Sequence, residues 1–447
     1  MLLNEAFISV RKIVIAGAGA YSFAPAILED LLIRYREACD LWLVDADLDL
    51  AELTARAARA IAEGFGIRMR FFYTTQLKKA VPGADAVVVC ADFLDDEAWR
   101  KDFEALDEVG LGKQVRLSGG LGGLMQTLRV SGFIADLAEQ MRLTCSENTR
   151  LILCDSGYGG IQLCRACEAA RIMGAEVYGI SAVTEQTQHR LSLYLNIPRQ
   201  RLKVITTGLN GFSWVSVLED RETGEDLIPR CMKEMQKDPR EALSAQYIDW
   251  YGAIPAGEHV MQYELLADTE LSPRRTVLYS GIGAADYELR KQDLAHLAVH
   301  GLAHEDGLSA WRHMHESGAK SVHPVRVLRA LDRMEDSTVQ SLVHPCDGCI
   351  PGVSAGRFVE GPAVIENGKV KGTLCTLPVE LQDIVEQLSL CNLLYAEAAA
   401  KGDREALREG LQIDPALSGV DLLYAEEVLA RMIEAQADRL PRFAMEE

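Results

Sequence analysis

No stretch of this 447-residue chain stays apolar for the roughly 20 residues that a membrane-spanning helix requires. Its first residues, MLLNEAFISVRK, lack the charged start and apolar centre of a signal peptide. Internal repeats, low-complexity tracts and disordered linkers are absent as well. Nor is there a basic excess: 46 Lys and Arg stand against 66 Asp and Glu, a formal net charge of −20. A surface of that sign repels nucleic acid and anionic lipid and leaves only a local basic pocket for an anionic small molecule. The expectation is a cytoplasmic protein with neither nucleic acid nor membrane as partner.

What is present fits that expectation. Hydrophobic residues make up 48% and charged residues 25% of the chain, the balance of an ordinary globular protein. The eleven cysteines are odd in number, and several (Cys90, Cys154, Cys375) sit in apolar segments, which reads as reduced, packed thiols. The length exceeds one hydrophobic core, so two domains are expected.

The first motif is KIVIAGAGAYSFAPAILEDLL, Lys12 to Leu32. Lys12–Ala16 reads as a buried parallel strand, and Phe23, Ile27, Leu28, Leu31 and Leu32 recur at helical spacing. Between them, Gly17 and Gly19 let the backbone turn tightly and approach a pyrophosphate at the start of a helix. Ser22 stands where a third glycine often sits. The next strand, LWLVD, ends at Asp45, 26 residues past Gly19. A carboxylate there accepts hydrogen bonds from an adenosine ribose and repels a 2′-phosphate, which favours NAD over NADP. Gly17, Gly19, Ala20, Tyr21, Ser22, Asp45 and Ala91 form the expected cofactor site.

Strand-like runs recur between helical segments at Lys12–Ala16, Leu41–Asp45, Ala86–Ala91, Arg150–Asp155 and Glu176–Ser181. This α/β alternation predicts an N-terminal Rossmann-type, doubly wound parallel sheet within residues 1–185. Residues 186–447 read as a mixed α+β domain for substrate binding and oligomerisation. There LKVITTGLNGFSWVSVLED gives strands, Asn367-Gly368 a hairpin turn, and Val379–Arg439 helices.

Taken in order, these pieces resemble the NAD-dependent glycosidases of glycoside hydrolase family 4, whose fold is related to lactate and malate dehydrogenases. The likeness includes SGGLGGLMQTLR (118–129), GLNGFSW (208–214), YGAIPAGEHVMQY (251–263), RKQD (290–293), CDGCIPGV (346–353), FVEGPAVIENG (358–368) and AAAKGDREALREGLQIDP (398–415). The resemblance implies a glycoside substrate, a homodimer or homotetramer, and an unusual use of NAD. Hydride leaves sugar carbon 3, a base takes the now acidic carbon-2 proton, the aglycone is eliminated, water adds, and the hydride returns. In the family a divalent metal held by a cysteine and a histidine polarises the sugar oxygens.

Here the implied ligands are missing. Ser181 aligns with the metal cysteine, Ala182 follows it, and Gly211 replaces the histidine of the family's Gly-Leu-Asn-His; the family's Asn-Pro reads Gly157-Tyr158. Serine is a poor transition-metal ligand, so a divalent metal is not expected at this place. The candidate catalytic residues are His259, Tyr263 and Asp155. His259 has a side chain suited to proton transfer near neutral pH, with a structural hydrogen bond an equal reading. Tyr263 needs a lowered pKa to act as a base. Candidate substrate-binding residues are Gln114, Arg129, Tyr158 and Asn210, with a surface ion pair an equal reading for Arg129.

Three other groups carry ligand chemistry. His344, Cys346 and Cys349 place an imidazole and two thiols together, and Cys164 and Cys167 form a second Cys-x-x-Cys within a helix. His296, His300 and His304 recur every four residues on one predicted helix face. Competing readings for the whole chain are a sugar or hydroxy-acid dehydrogenase that releases NADH, and a catalytically silent NAD- or sugar-binding homologue.

Overall fold

The computed structural model describes residues 11–20, 23–91, 93, 96–112, 119–155, 162–257, 284–317 and 323–443. Contacts divide the chain into two compact units, each assembled from three stretches. The first comprises Met1–Ala91, Gln140–Ile152 and Ile282–Arg326, and the second Asp92–Glu139, Leu153–Gly281 and Val327–Glu447.

In the first unit, β1 (Arg11–Ala16), β2 (Cys39–Val44), β3 (Arg70–Thr74) and β4 (Ala86–Val89) are ordered β3-β2-β1-β4 and pair in parallel. Ile13, Val14, Ile15 and Ala86–Val89 are fully buried, as β-branched and small residues are when both faces of a parallel sheet are covered. Residue 150 opens β5 (Arg150–Asp155), which follows β4 in the order. The Leu48–Gly64 helix packs against the Ala284–His300 helix, with alanines along the buried face of the former.

The second unit continues from the last residues of β5 with β6 (Glu176–Ser181), β7 (Leu202–Leu209), β8 (Phe212–Asp220), β9 (Ile254–Pro255), β10 (Ser337–Pro345), β11 (Phe358–Glu366) and β12 (Lys369–Gly372). Their order is β5-β6-β10-β11-β7-β8-β9, and β12 pairs with β11. From β6 onward the pairings are antiparallel, so this unit is mixed. The β11–β12 hairpin turns at Asn367 and Gly368, both at positive φ as a two-residue turn of this kind needs. The Val379–Lys401, Arg404–Ile413 and Leu422–Ala435 helices close a core with Leu121, Leu124, Leu128, Tyr395 and Met432.

Among the described residues no helix is long and apolar enough to cross a membrane.

Candidate functional site

In the first unit the site grows from the turn after β1. The Gly17 and Ala18 N–H groups both donate to Val44 O (2.8 and 3.0 Å), and Ala20 N–H closes the turn on Gly17 O (3.0 Å). Gly17 has φ +85°, and a Cβ there would lie 2.4 Å from the Ala91 backbone, so no other residue fits. A Cβ on Gly19 would come within 2.9 Å of Leu50. This bare cradle, edged by Ala91, is the surface to which a flat phosphate chain can draw close.

Asp45 sits directly past β2 and holds the cradle. One carboxylate oxygen accepts the Gly19 N–H (2.9 Å) and the other the Asp47 N–H (3.1 Å). Asp47 in turn caps the Leu48–Gly64 helix through the N–H groups of Asp49 and Leu50. The Tyr287 hydroxyl donates to Asp47 and holds its carboxyl below the usual range, while Lys291 lies 3.1 Å from Asp49. Tyr287 and Lys291 carry no local sequence signal and reach the cradle only through the fold. Cys90 lies under the cradle, its thiol donating to Gly17 O (3.3 Å) and pushed up by burial. Tyr21 and Ser22 lie outside the described residues.

The second unit gathers a polar cluster where β6, β8, β10, β11 and the turn between β7 and β8 present their side chains. Its centre is Glu360, with no exposed surface. Ser181 donates to it, as do Ser341 (2.7 Å), Ser213 (3.2 Å) and the Asn210 side chain. Each of these bonds favours the carboxylate, yet burial is the larger effect and raises the Glu360 pKa. Asn210 also accepts the N–H of Leu163, the first residue of the Leu163–Ile172 helix (3.1 Å). Glu168 of that helix accepts the Phe358 N–H (3.0 Å), which ties β11 to it two residues before Glu360.

The hydroxyl at the expected metal position is thus spent on Glu360. Ala182 offers a methyl group and Gly211, at φ +82°, no side chain. These positions do not fit a transition metal. Asp155 closes β5 and is buried. The Arg129 guanidinium is engaged by buried Asp102 (2.7 Å), Gln126 (3.1 Å) and Gln436 (2.9 Å), an ion pair that is buried rather than on the surface. A further buried cation, Arg165, bonds Thr127 and Asn392 (2.7 Å each) and lies over the Tyr395 ring. Neither Glu360 nor Arg165 is marked by periodicity or spacing: Glu360 sits within FVEGPAVIENG, and Arg165 shares its helix with Glu168 and Arg171. His259, Tyr263, Gln114 and Tyr158 lie outside the described residues.

The other ligand clusters resolve differently. Cys346 and Cys349 lie with their sulfurs 3.9 Å apart, and His344 is buried with Nδ1 2.9 Å from Pro345 O. Among the described residues, three ligand atoms lie within 4.8 Å of one another at His296, His300 and Asp306. The helix ends at His300, so His304 does not continue its face; it lies in the following connection, 3.3 Å from Asp306.

Comparison with known proteins places the chain. Residues 12–154 match the Family 4 glycosyl hydrolase domain, and residues 206–417 match the Family 4 glycosyl hydrolase C-terminal domain. A probable 6-phospho-beta-glucosidase of Bacillus subtilis is 23% identical, over 97% of this chain and 98% of its own length. An alpha-galacturonidase of Lachnoclostridium phytofermentans is 21% identical over 99% of both chains. The structure of a 6-phospho-alpha-glucosidase from gut microorganisms, in complex with NAD and Mn2+, superposes with a TM-score of 0.72 at 17% identity, covering 97% of this chain and 99% of that one. The chain belongs to glycosyl hydrolase family 4.

Proposed function

We propose that this family 4 member is an NAD-dependent glycoside hydrolase that works by transient oxidation at sugar carbon 3, elimination and water addition, with no metal at the usual family position. The observation that carries the cofactor assignment is the bare Gly17–Gly19 cradle held by Asp45, whose charge favours NAD over NADP. The stretch from β1 to Ala91 serves the dinucleotide, with Tyr287 and Lys291 bracing its cradle, while residues 186–447 serve the sugar together with Gln114, Arg129, Asp155 and Tyr158. The names of the relatives, a 6-phospho-glucosidase and a galacturonidase, support a glycone that bears an anionic group.

When bound, NAD supplies a hydride acceptor that is regenerated within each turnover. The chain supplies the proton chemistry. His259 takes the carbon-2 proton with Tyr263 sharing the task, and Asp155 is the third proposed catalytic residue. Gln114, Arg129, Tyr158 and Asn210 are the proposed substrate-side groups, and the bonds Arg129 makes to Asp102, Gln126 and Gln436 give it a positioning part. Metal independence is supported by Ser181, which donates to Glu360, and by the lack of donor atoms at Ala182 and Gly211.

The stoichiometry of turnover tests the reading. With a 6-phospho-glycoside or a galacturonide as substrate, catalytic NAD suffices and NADH absorbance stays flat while sugar is released. Net NADH accumulation in step with product would instead identify a dehydrogenase.

A further inference from the structure

The Ala284–His300 helix ends in a cluster that neither the cradle nor the polar group around Glu360 uses. His296 and His300 stand four residues apart, so they share one helix face. Their ring centroids are 6.4 Å apart and the rings are inclined by 27°. The chain then reverses at Gly301, which has φ +54° and closes the helix with its N–H on Leu297 O (2.8 Å). A Cβ on Gly307 would fall 1.8 Å from Gly301 O, so only glycine lets the Glu305–Ser317 helix begin this close to the end of the first. Asp306 is thereby carried back to the histidines, its carboxylate 4.0 Å from His300 Nε2.

His304 frames the same spot. Its carbonyl receives the Leu308 N–H (3.0 Å), its Nδ1 accepts the Asp306 N–H (3.3 Å), and its ring stacks on His300 with centroids 4.8 Å apart. One ligand atom each from His296, His300 and Asp306 lies within 4.8 Å of the others. His300 and Asp306 converge at a distance too long for a hydrogen bond, which leaves room between them for an ion. Ligand atoms around a tetrahedral zinc stand about 3.4 Å apart. Small rotations of the exposed His296 and Asp306 side chains and the half-buried His300 ring close that difference and leave the fourth position to water.

We propose that His296, His300 and Asp306 form a binding site for a divalent transition-metal ion of the zinc class. Two imidazoles and one carboxylate suit such an ion, whereas magnesium and calcium take shells of oxygen alone. The ion ties the end of one helix to the start of the next. The first of these helices packs against the Leu48–Gly64 helix and carries Tyr287 and Lys291 to Asp47 and Asp49. Gly301 touches the last turn of that partner helix, where a Cβ would lie 3.2 Å from Ala60 O. The metal is therefore a brace for the helix that supports the cradle. It takes no part in the sugar chemistry: the site belongs to the first unit, while Ser181, Ala182 and Gly211 belong to the second. The site is independent of the glycosidase reading.

The test uses the untagged full chain, stripped with a chelator and titrated with zinc by calorimetry and with cobalt(II) by absorbance. Zinc should bind at this site with one ion per chain. The cobalt complex should show d–d bands without the thiolate-to-cobalt charge-transfer absorption that binding at Cys346 and Cys349 would give. His296→Ala, His300→Ala and Asp306→Asn, all at surface positions, should each weaken zinc binding by at least about tenfold, the loss seen even when an outer partner of a ligand is removed. Zinc, and not magnesium, should slow amide hydrogen exchange across residues 296–308 in the wild type, and the slowing should vanish in His300→Ala. Zinc binding that survives the three substitutions unchanged would overturn the proposal. So would a cobalt spectrum carried by thiolate absorption, or exchange across 296–308 that zinc leaves unaltered.

Discussion

Replacing Glu360 by glutamine asks what decides the charge of the buried carboxyl. Its partners, Ser181, Ser341, Ser213 and Asn210, stabilise the carboxylate, and complete burial favours the neutral acid. Burial prevails, so the folded pKa lies above the ordinary value. Once the pH exceeds about 4.3, the unfolded chain has lost the proton while the folded chain still holds it. Unfolding then releases a proton, and this group's contribution to stability falls by about 1.4 kcal/mol per pH unit until the pH passes the folded value. Glu360→Gln keeps the shape and most of the hydrogen bonds but removes the titration. Urea unfolding of both proteins from about pH 4, below the unfolded value, to about pH 8 measures the difference. The wild type should lose stability relative to the variant as the pH rises, with the difference smallest at the acid end. A gap that is constant with pH, or one that shifts against the variant as the pH rises, would refute the argument that burial outweighs the four donors.

Asp45→Asn removes a charge that receives the Gly19 and Asp47 N–H groups; NAD affinity measured by calorimetry should fall about tenfold and that for NADP should fall less, narrowing the preference. Equal wild-type affinities for the two dinucleotides would contradict the assignment of Asp45. Treatment with a chelator should leave most of the glycosidase activity, because Ser181, Ala182 and Gly211 cannot rebuild the family's ligand set; full loss with recovery by manganese would contradict this. His259→Ala should lower turnover by about a hundred- to ten-thousandfold with NAD affinity unchanged, read from steady-state rates and calorimetry together.

Much of the fold is legible because its strands are buried and bounded by glycine or helix. Arg150–Asp155 and Glu176–Ser181 have the expected limits, and β1, β2 and β4 differ by a residue or two at their ends. β3 was not anticipated, since RFFYT is a short edge strand with only Phe71 buried and therefore lacks the continuous apolar run that marks β1. The Asn367-Gly368 turn was legible because few residue pairs tolerate two positive φ values. What the sequence hides is long-range. Antiparallel pairing of β6 with β10 joins residues more than a hundred positions apart, and together with the β10–β11 pairing it gathers Ser181, Ser341 and Glu360. The cradle was legible through its glycines, whereas Tyr287 reaches Asp47 from 240 residues away and no local pattern announces it.

The central claim is that a redox-neutral elimination breaks the glycosidic bond, and the fate of the carbon-2 hydrogen tests it most directly. Hydrolysis of a 6-phospho-glycoside or galacturonide is carried out in deuterium oxide with catalytic NAD, and the released sugar is examined by NMR. The account predicts deuterium at carbon 2, no net NADH, and no reaction when NAD is withheld. A sugar released at full rate with its carbon-2 proton intact would contradict it.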